Sequence, residues 1–585
     1  MKINKKRTYA ILCAFFLFFI ASILITYPLI FHITNFTTGY GDELLIAWIN
    51  NWVIHSVLSN PFNIFNGDMY YPYHNTFAFS ESLITTSILA MPIQLILSMS
   101  PIASVNFTYI SSLTLLGFSI YLLTKYVTNN YIASILSGML VIFSPAVMDN
   151  GGTLQIIAVE FIPLSILSFL HFIKTGKSRF FLLSLLFFLM QVYNSFMPGY
   201  FIILSICIIF IYYLFLYKKE VVKLITKKNI LLVILTVLLV LPVVLPYYQV
   251  SETFSYTRDI RDSIHFSLQP EDLLYSSQYS RIHTFLNTLP INTHSQNNEY
   301  MTGYLGGIFS ILCLLTIIYL ISHFKKKNII VNALFFIAIF ALIMSFGPAL
   351  HLGRHTIHKP FPIILPYALF YYILPGFKGF RTPVRFEMLF IICMAIVASY
   401  SVQMILKNKS IRVKFLIYFV LFLGLIAEFN PPVTYFPIHS INNFPSVYQW
   451  LSTTPKETVI IEMPIYNWNT FPYSNIEQLR DYYSTADFRK TVNGYSGFSP
   501  PPWQTLVTNL LTYFPNKKTL RTLKNMNITY IIVHTTEYDR MHHDKYKINQ
   551  RIIPSGNEVL KYLENDNSLK LVKHFGTDYV FTFKR

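Results

Sequence analysis

Residues 227–249 read KKNILLVILTVLLVLPVVLPYYQ, two lysines followed by a long and almost wholly apolar run. A helix of about 20 apolar residues is long enough to span the roughly 30 Å hydrocarbon layer of a bilayer. Basic residues gather at the cytoplasmic ends of such helices. This stretch therefore predicts a transmembrane helix that begins on the cytoplasmic side.

The same pattern recurs through the first 430 residues. Apolar runs of spanning length lie near 10–30, 105–124, 131–148, 154–173, 180–197, 200–217, 229–249, 303–323, 329–346, 386–406 and 413–429. Short basic clusters separate alternate pairs of runs, so all clusters fall on one side if the N terminus is cytoplasmic. The sequence predicts a polytopic α-helical membrane protein in the plasma membrane, with about eleven crossings.

Two shorter apolar stretches, 82–99 and 362–375, leave the number of crossings open. Both contain proline, and the alternation of basic clusters works without them. We therefore expect them to lie on the outer side without crossing alone. If both crossed, the chain would have about thirteen helices and the same final orientation.

The composition excludes a chain of soluble domains. Of the 585 residues, 53% are hydrophobic and 12% charged, whereas about 25% are charged in a typical soluble domain. The net charge of +18 does not indicate nucleic-acid binding, because the basic residues stand in short clusters between apolar runs. All four cysteines lie inside apolar runs, which predicts neither a disulfide framework nor a zinc knuckle.

The chain divides into two predicted domains. Residues 1–430 form a multispanning membrane domain with external loops at 31–81 and 250–302. Residues 431–585 alternate strand-like runs (TVIIEMPI, ITYIIVH, DYVFTF) with helix-like runs (PSVYQWL, WQTLVTNLLTYF, NEVLKYLEN). This alternation predicts a small α/β domain. An odd number of crossings from a cytoplasmic N terminus predicts that this domain is extracytoplasmic.

The first external loop carries most of the candidate site. Residues 37–83 read TTGYGDELLIAWINNWVIHSVLSNPFNIFNGDMYYPYHNTFAFSESL. Acids are scarce in this chain, yet four gather here, beside aromatic residues that predict a helix lying in the membrane interface. The acids Asp42 and Glu43 are the candidate catalytic residues. The candidate substrate-binding residues in this loop are His55, Tyr71 and Glu81.

A resemblance follows from these residues. An N-terminal helix followed by an acidic pair in a long external loop is similar to the GT-C superfamily of membrane glycosyltransferases. The pair Asp42–Glu43 resembles the Asp-Glu motif of protein O-mannosyltransferases. The fuller pattern GD..L..W....H.....P...F....YYP..N....SE is closer to bacterial proteins of the RgtA/B/C/D-like type. The resemblance implies a GT-C-like fold and a polyprenyl-phosphate sugar as donor.

The implied reaction needs a base and a cation. In inverting enzymes of this superfamily one carboxylate takes the proton of the acceptor hydroxyl, the role we expect of Asp42. A cation must stabilise the phosphate that leaves. Residues 374–388, LPGFKGFRTPVRFEM, place Lys378, Arg381 and Arg385 on the predicted outer side, where basic residues are unexpected.

Two further residues are candidates for substrate binding. Arg354 lies in HLGRHTIH (351–358) and is an auxiliary candidate for the donor phosphate. Glu160 lies inside the apolar run LQIIAVEFIPLSIL, where an acid is a functional candidate because its burial is costly. No metal ligand set and no cofactor are predicted, and a divalent metal is not indicated because the loop has a second acid, Glu43, and no DxD motif.

The predicted function is transfer of a hexosyl or pentosyl group from a polyprenyl-phosphate carrier to an acceptor on the outer membrane face. The acceptor is a glycan, a lipid or a protein; nucleic acid is not a predicted partner. The alternatives are a transporter or flippase for lipid-linked saccharides and a non-catalytic assembly protein. The sequence does not identify the sugar, the acceptor, the carrier lipid or the oligomeric state.

Overall fold

The structure is a computed structural model that describes residues 5–149, 153–275, 277–282, 303–322, 328–352, 355–356, 361–430 and 435–584. The chain forms two compact units. The first unit consists of Met1–Phe31, Phe107–Pro242 and Thr257–Thr434. The second unit consists of His32–Asn106, Val243–Tyr256 and Tyr435–Arg585. The predicted membrane domain included the first external loop, whereas the structure groups that loop with the tail.

The first unit is helical. Its helices are Lys5–Ile25, Tyr131–Ile142, Pro145–Met148, Leu154–Ile157, Phe161–Thr175, Ser178–Val192, Phe196–Leu216, Lys218–Val222, Ile260–His265, Gly307–Ser322, Ile329–Ser345, Pro366–Ile373, Phe386–Ile405 and Ile411–Glu428. The helices Pro101–Thr128 and Lys227–Phe254 contribute residues to both units. Each of the eleven apolar runs contains helix, and six helices among the described residues are long and apolar enough to cross a membrane.

The helix Phe386–Ile405 lies at the centre of the first unit. Almost all its residues are buried, and it packs against the helices Ile329–Ser345, Tyr131–Ile142 and Gly307–Ser322. Small residues permit close packing elsewhere in this unit. A Cβ atom at Gly138 would lie 2.5 Å from the Phe18 ring. The helix Tyr131–Ile142 therefore needs glycine where Phe18 of the N-terminal helix packs against it.

The two short apolar stretches form short helices. Ile84–Ile96 has 13 residues and Pro366–Ile373 has 8. Both are shorter than the about 20 residues that a spanning helix needs. The side of the membrane on which each stretch lies, and the number of crossings, stay predictions.

The second unit has the predicted α/β elements in its tail. The helices of this unit are Asp42–Ser59, Ile84–Ile96, Ser446–Leu451, Asn475–Ser484, Pro501–Tyr513, Lys517–Asn525, Thr535–His543 and Gly556–Asn565. A four-stranded sheet has Ile460–Met463 parallel to Tyr530–His534, then Asp578–Phe583 and Leu569–Phe575 antiparallel. All six predicted runs of the tail form elements of the predicted type.

The first external loop pairs with the tail through backbone hydrogen bonds. Strand Phe36–Thr37 is antiparallel to Phe436–Pro437. The N–H groups of Tyr70 and Tyr71 donate to the carbonyl oxygens of Asn493 and Thr491, at 3.1 and 2.8 Å. These bonds satisfy polar backbone groups of the loop, and they explain why loop and tail form one unit. Two other short antiparallel pairings join His351–Leu352 to His355–Thr356 and Lys547–Ile548 to Arg551–Ile552.

The helix Asp42–Ser59, hereafter the first-loop helix, is a buried helix. The aromatic residues of the loop predict a helix with its indoles facing the membrane interface, whereas the structure buries Trp48 and Trp52 inside the second unit. Trp48 is 1% exposed and Trp52 8%, and their rings stack with centroids 5.9 Å apart. The indole N–H groups donate inside the unit, that of Trp48 to Asp68 and that of Trp52 to the Ile64 carbonyl.

Candidate functional site

Asp42 is an exposed carboxylate at the first residue of the first-loop helix. A helix N-terminus favours negative charge, because its first N–H groups point outward without backbone partners. The Tyr495 hydroxyl donates to Asp42 Oδ1 over 3.3 Å. The helix that follows is buried over most of its length, so this carboxylate stands on a rigid support and still reaches solvent.

Glu43 differs from its neighbour, because its side chain folds back on the turn before the helix. Its Oε2 atom accepts the Gly41 N–H at 3.0 Å, and burial raises the pKa of Glu43 above its ordinary value. A Cβ atom on Gly39 would lie 2.5 Å from Glu43 Oε1. The turn GYG therefore makes room for a carboxylate that satisfies a backbone donor, a structural role.

Gly39→Ala is expected to displace the Glu43 carboxylate and break its bond to Gly41. Loss of a capping interaction of this kind lowers the free energy of unfolding by about 0.5–2 kcal/mol. Thermal unfolding in detergent measures the change. Gly379→Ala is the matched control, because a Cβ atom there meets nothing within 4 Å. Equal unfolding temperatures for the two variants would contradict the assigned role.

Asp68 is a buried acid behind the first-loop helix. It is 3% exposed, and the Trp48 indole donates to its Oδ1 atom at 2.9 Å. Its backbone carbonyl accepts the Thr491 N–H at 2.8 Å, so the residue lies where loop and tail pair. Burial raises the pKa of Asp68 to about 7, with the Asp487 charge adding to the effect.

This shift predicts that the second unit loses stability as the pH rises. The folded state holds the Asp68 proton more tightly than the unfolded chain, so its stabilisation is complete below about pH 4 and is lost as the pH rises through about 7. We expect the unfolding temperature to fall between pH 5 and pH 8 more steeply in the natural protein than in Asp68→Asn. Parallel pH profiles for the two proteins would contradict this expectation.

The other predicted residues of the loop each have their own contacts. His55 is about 20 Å from Asp42 along the helix at about 1.5 Å per residue. Its ring packs on Phe488 at 4.6 Å, and burial followed by the nearby Lys456 charge lowers its pKa. Tyr71 is half-buried in the pairing with Thr491. Glu81 follows Ser80, whose carbonyl accepts the Tyr247 hydroxyl at 2.6 Å.

The predicted cations of the first unit have different surroundings. Lys378 and Arg381 are exposed, and each lies over an aromatic ring: Lys378 Nζ is 6.0 Å from the Tyr372 centroid, and the Arg381 guanidinium is 5.0 Å from that of Phe266. Arg385 is half-buried at the start of the central helix. Arg354 lies outside the described residues.

Arg385 lines a small cleft together with the polar residues Gln155 and Ser195. Glu160, the predicted acid of the membrane domain, is 2% exposed and follows Val159, a lining residue of the same cleft. The side chains of Gln191 and Asn194 donate to the Ala158 carbonyl at 3.1 and 3.0 Å. Gln155 and Ser195 are thus the polar side chains that line the cleft with Arg385, and the other lining residues are apolar.

The tail contains a buried ionic cluster that the sequence analysis did not identify. Arg480 is 3% exposed and contacts three carboxylates: Glu477 at 2.9 Å, Glu537 at 2.8 Å and Glu462 at 3.6 Å. Asn493 donates from its side chain to Glu477 at 3.1 Å. The cluster thereby ties the sheet and the helix Asn475–Ser484 to the segment that pairs with the first loop. In the sequence, only the i,i+3 spacing of Glu477 and Arg480 indicates this cluster. Such a spacing usually indicates an ion pair on the exposed face of a helix, so it does not predict burial.

The comparisons with known proteins identify the fold. No protein-family profile matches the sequence, and no curated protein matches it. Among solved structures, the apo oligosaccharyltransferase of Archaeoglobus fulgidus has a TM-score of 0.50 and 12% sequence identity, covering 91% of this chain and 70% of that chain. The same enzyme in complex with Zn and sulfate also gives 0.50 and 12%, covering 92% and 69%. The arabinofuranosyltransferase AftD from Mycobacteria gives 0.48 and 10%, covering 93% of this chain and 39% of that chain.

The likeness to the Archaeoglobus fulgidus oligosaccharyltransferase shows the fold of this chain. The chain is a polytopic α-helical membrane protein with a GT-C-like fold, and the predicted resemblance to this superfamily is confirmed for the fold.

Proposed function

We propose that this protein is a membrane glycosyltransferase that moves a sugar from a polyprenyl-phosphate carrier to an acceptor hydroxyl on the outer face of the plasma membrane. The observation that carries the proposal is Asp42, an exposed carboxylate at the start of a buried helix in a chain with a GT-C-like fold. The Archaeoglobus fulgidus oligosaccharyltransferase AglB has been solved in complex with an inhibitory peptide and a dolichol-phosphate. The proposed donor of this protein is likewise a lipid phosphate, and its acceptor is likewise a separate molecule.

The proposed reaction is a single displacement. The acceptor oxygen forms a bond to the anomeric carbon while the bond between that carbon and the phosphate oxygen breaks. The acceptor proton passes to Asp42, and polyprenyl phosphate leaves with the electron pair of the broken bond. Attack from the face opposite the phosphate inverts the anomeric centre. Arg385, with Lys378 and Arg381, would stabilise the negative charge of the leaving phosphate.

The direct test is transfer by the purified protein in nanodiscs. The protein is incubated with a panel of radiolabelled polyprenyl-phosphate hexoses and pentoses and an extract of cell-envelope acceptors. We expect one donor to give labelled product and free polyprenyl phosphate, with the opposite anomeric configuration by NMR. Absence of transfer from every donor in the panel would contradict the proposal.

Arg385→Ala is expected to weaken donor binding by about 10- to 100-fold, because a charge-assisted hydrogen bond to phosphate contributes about 1.5–3 kcal/mol. The dissociation constant of the polyprenyl-phosphate sugar, measured in nanodiscs, gives the effect. Arg412→Ala is the control, since it removes an exposed arginine at the start of another helix of the same unit. Equal affinities for the two variants would exclude Arg385 from the phosphate site.

A further inference from the structure

Tyr495 is held firmly beside Asp42. Its hydroxyl donates to Asp42 Oδ1, while its backbone N–H donates to Asp481 Oδ2 at 3.1 Å. Asp481 is 2% exposed and belongs to the helix Asn475–Ser484, so the backbone end of Tyr495 is anchored in the interior. The tail therefore contributes a fixed aromatic ring next to the proposed base.

Trp468 extends this aromatic surface. Its ring centroid is 4.6 Å from that of Tyr495, with 36° between the planes, and 44% of the residue is exposed. The turn that presents it is well defined. Asn467 accepts the Asn469 N–H at 3.0 Å, and Thr470 Oγ1 accepts the Asn467 N–H at 3.1 Å. A large indole thus stays partly in solvent on a rigid turn, an arrangement typical of binding surfaces.

The pairing of an aromatic face with a carboxylate matches the chemistry of a sugar ring. A pyranose has a face of C–H groups that packs on an aromatic ring and a rim of hydroxyls that donate to carboxylates. A carboxylate accepts about four hydrogen bonds, so Asp42 can bind Tyr495 and a substrate hydroxyl together. We propose that Trp468 and Tyr495 form the acceptor-binding platform, and that the acceptor is a saccharide whose ring packs on Trp468 with one hydroxyl directed to Asp42.

This inference rests on the proposed function, since it makes the sugar bound there the acceptor. Substitutions of Trp468 and Tyr495 should therefore change different kinetic constants. Trp468 binds the ring without touching the proton, so its loss should act on the acceptor KM. Tyr495 positions the Asp42 carboxylate through its hydroxyl, so Tyr495→Phe should lower kcat and leave the acceptor KM unchanged.

The binding test does not depend on transfer. Saturation-transfer NMR on the full-length protein in nanodiscs uses methyl hexopyranosides, methyl pentofuranosides and short acetylated peptides containing serine or threonine as probes. We expect saturation of sugar ring protons in the natural protein, in Trp468→Phe and in Asp42→Asn, and its loss in Trp468→Ala. Tyr562→Ala is the control, because it removes an exposed aromatic ring from the helix Gly556–Asn565.

The kinetic test separates the two proposals. With the transfer assay, Trp468→Ala should raise the acceptor KM about tenfold with kcat nearly unchanged, and Trp468→Phe should restore most of the affinity. An unchanged KM and unchanged saturation in Trp468→Ala would overturn the platform and leave the proposed function intact. Saturation of peptides alone would overturn the saccharide acceptor. Normal transfer by Asp42→Asn would overturn the proposed base and leave the binding result standing.

Discussion

Asp42→Asn is expected to abolish sugar transfer and leave the protein folded. The amide keeps the shape of the carboxylate and can still accept a hydrogen bond from Tyr495, but it cannot take a proton at neutral pH. General base catalysis contributes about 10²- to 10⁴-fold, so single-turnover transfer should fall by that factor. The side chain is exposed, and the unfolding temperature should therefore change little.

Glu43→Gln is the matched comparison for this prediction. Glu43 accepts the Gly41 N–H in the turn before the helix, and glutamine can accept the same hydrogen bond through its amide oxygen. We expect transfer by Glu43→Gln to stay within about tenfold of the natural protein, well short of the loss from a missing base. Near-normal transfer in Asp42→Asn together with a large loss in Glu43→Gln would move the base by one residue.

Arg480→Leu is expected to unfold or greatly loosen the second unit. The substitution leaves Glu462, Glu477 and Glu537 without their shared cation in a region where two of them are almost fully buried. Removing one partner of a buried ion pair lowers stability by about 3–5 kcal/mol. Urea unfolding of the full-length protein, followed by limited proteolysis of the tail, measures the loss.

Two comparisons show whether the loss comes from uncompensated charge. The exposed Arg521 on the helix Lys517–Asn525 gives the control Arg521→Leu, which should be close to neutral. The double variant Arg480→Leu with Glu477→Gln should recover part of the stability, because it removes one of the uncompensated acids. A loss below about 1 kcal/mol in Arg480→Leu would show that the cluster is not an essential support.

Local pattern was sufficient to predict most of the secondary structure. An apolar run of spanning length predicts a helix wherever it lies, and each of the eleven runs contains one. In the tail, the β-branched run ITYIIVH contains the strand Tyr530–His534, because such residues pack well on a pleated sheet. These predictions depend on neighbours in sequence and need no knowledge of distant contacts.

The candidate site depended on distant contacts, and there prediction was incomplete. Trp48 and Trp52 have the spacing of an interfacial helix, but Asp68 and the tail cover that face. Tyr495 lies 453 residues after Asp42, and nothing in the intervening sequence indicates that the two side chains meet. Asp42 was predicted because acids are scarce in this chain and gather in this loop. Arg480 was missed because two of its three partners, Glu462 and Glu537, come from other segments of the chain.

The order of synthesis determines when the segment that carries Asp42 can finish folding. Tyr40 donates to the carbonyl of Pro437, 397 residues further along the chain. A ribosome that adds about 5–20 residues per second needs roughly 20–80 s to reach that partner. The N–H groups of Tyr70 and Tyr71 likewise cannot form their hydrogen bonds until the carbonyl groups of Asn493 and Thr491 have been synthesised. The segment that carries Asp42 therefore completes its pairing only after residues 437 and 491–493 have been made, and a chain terminated before them would contain Asp42 without these partners.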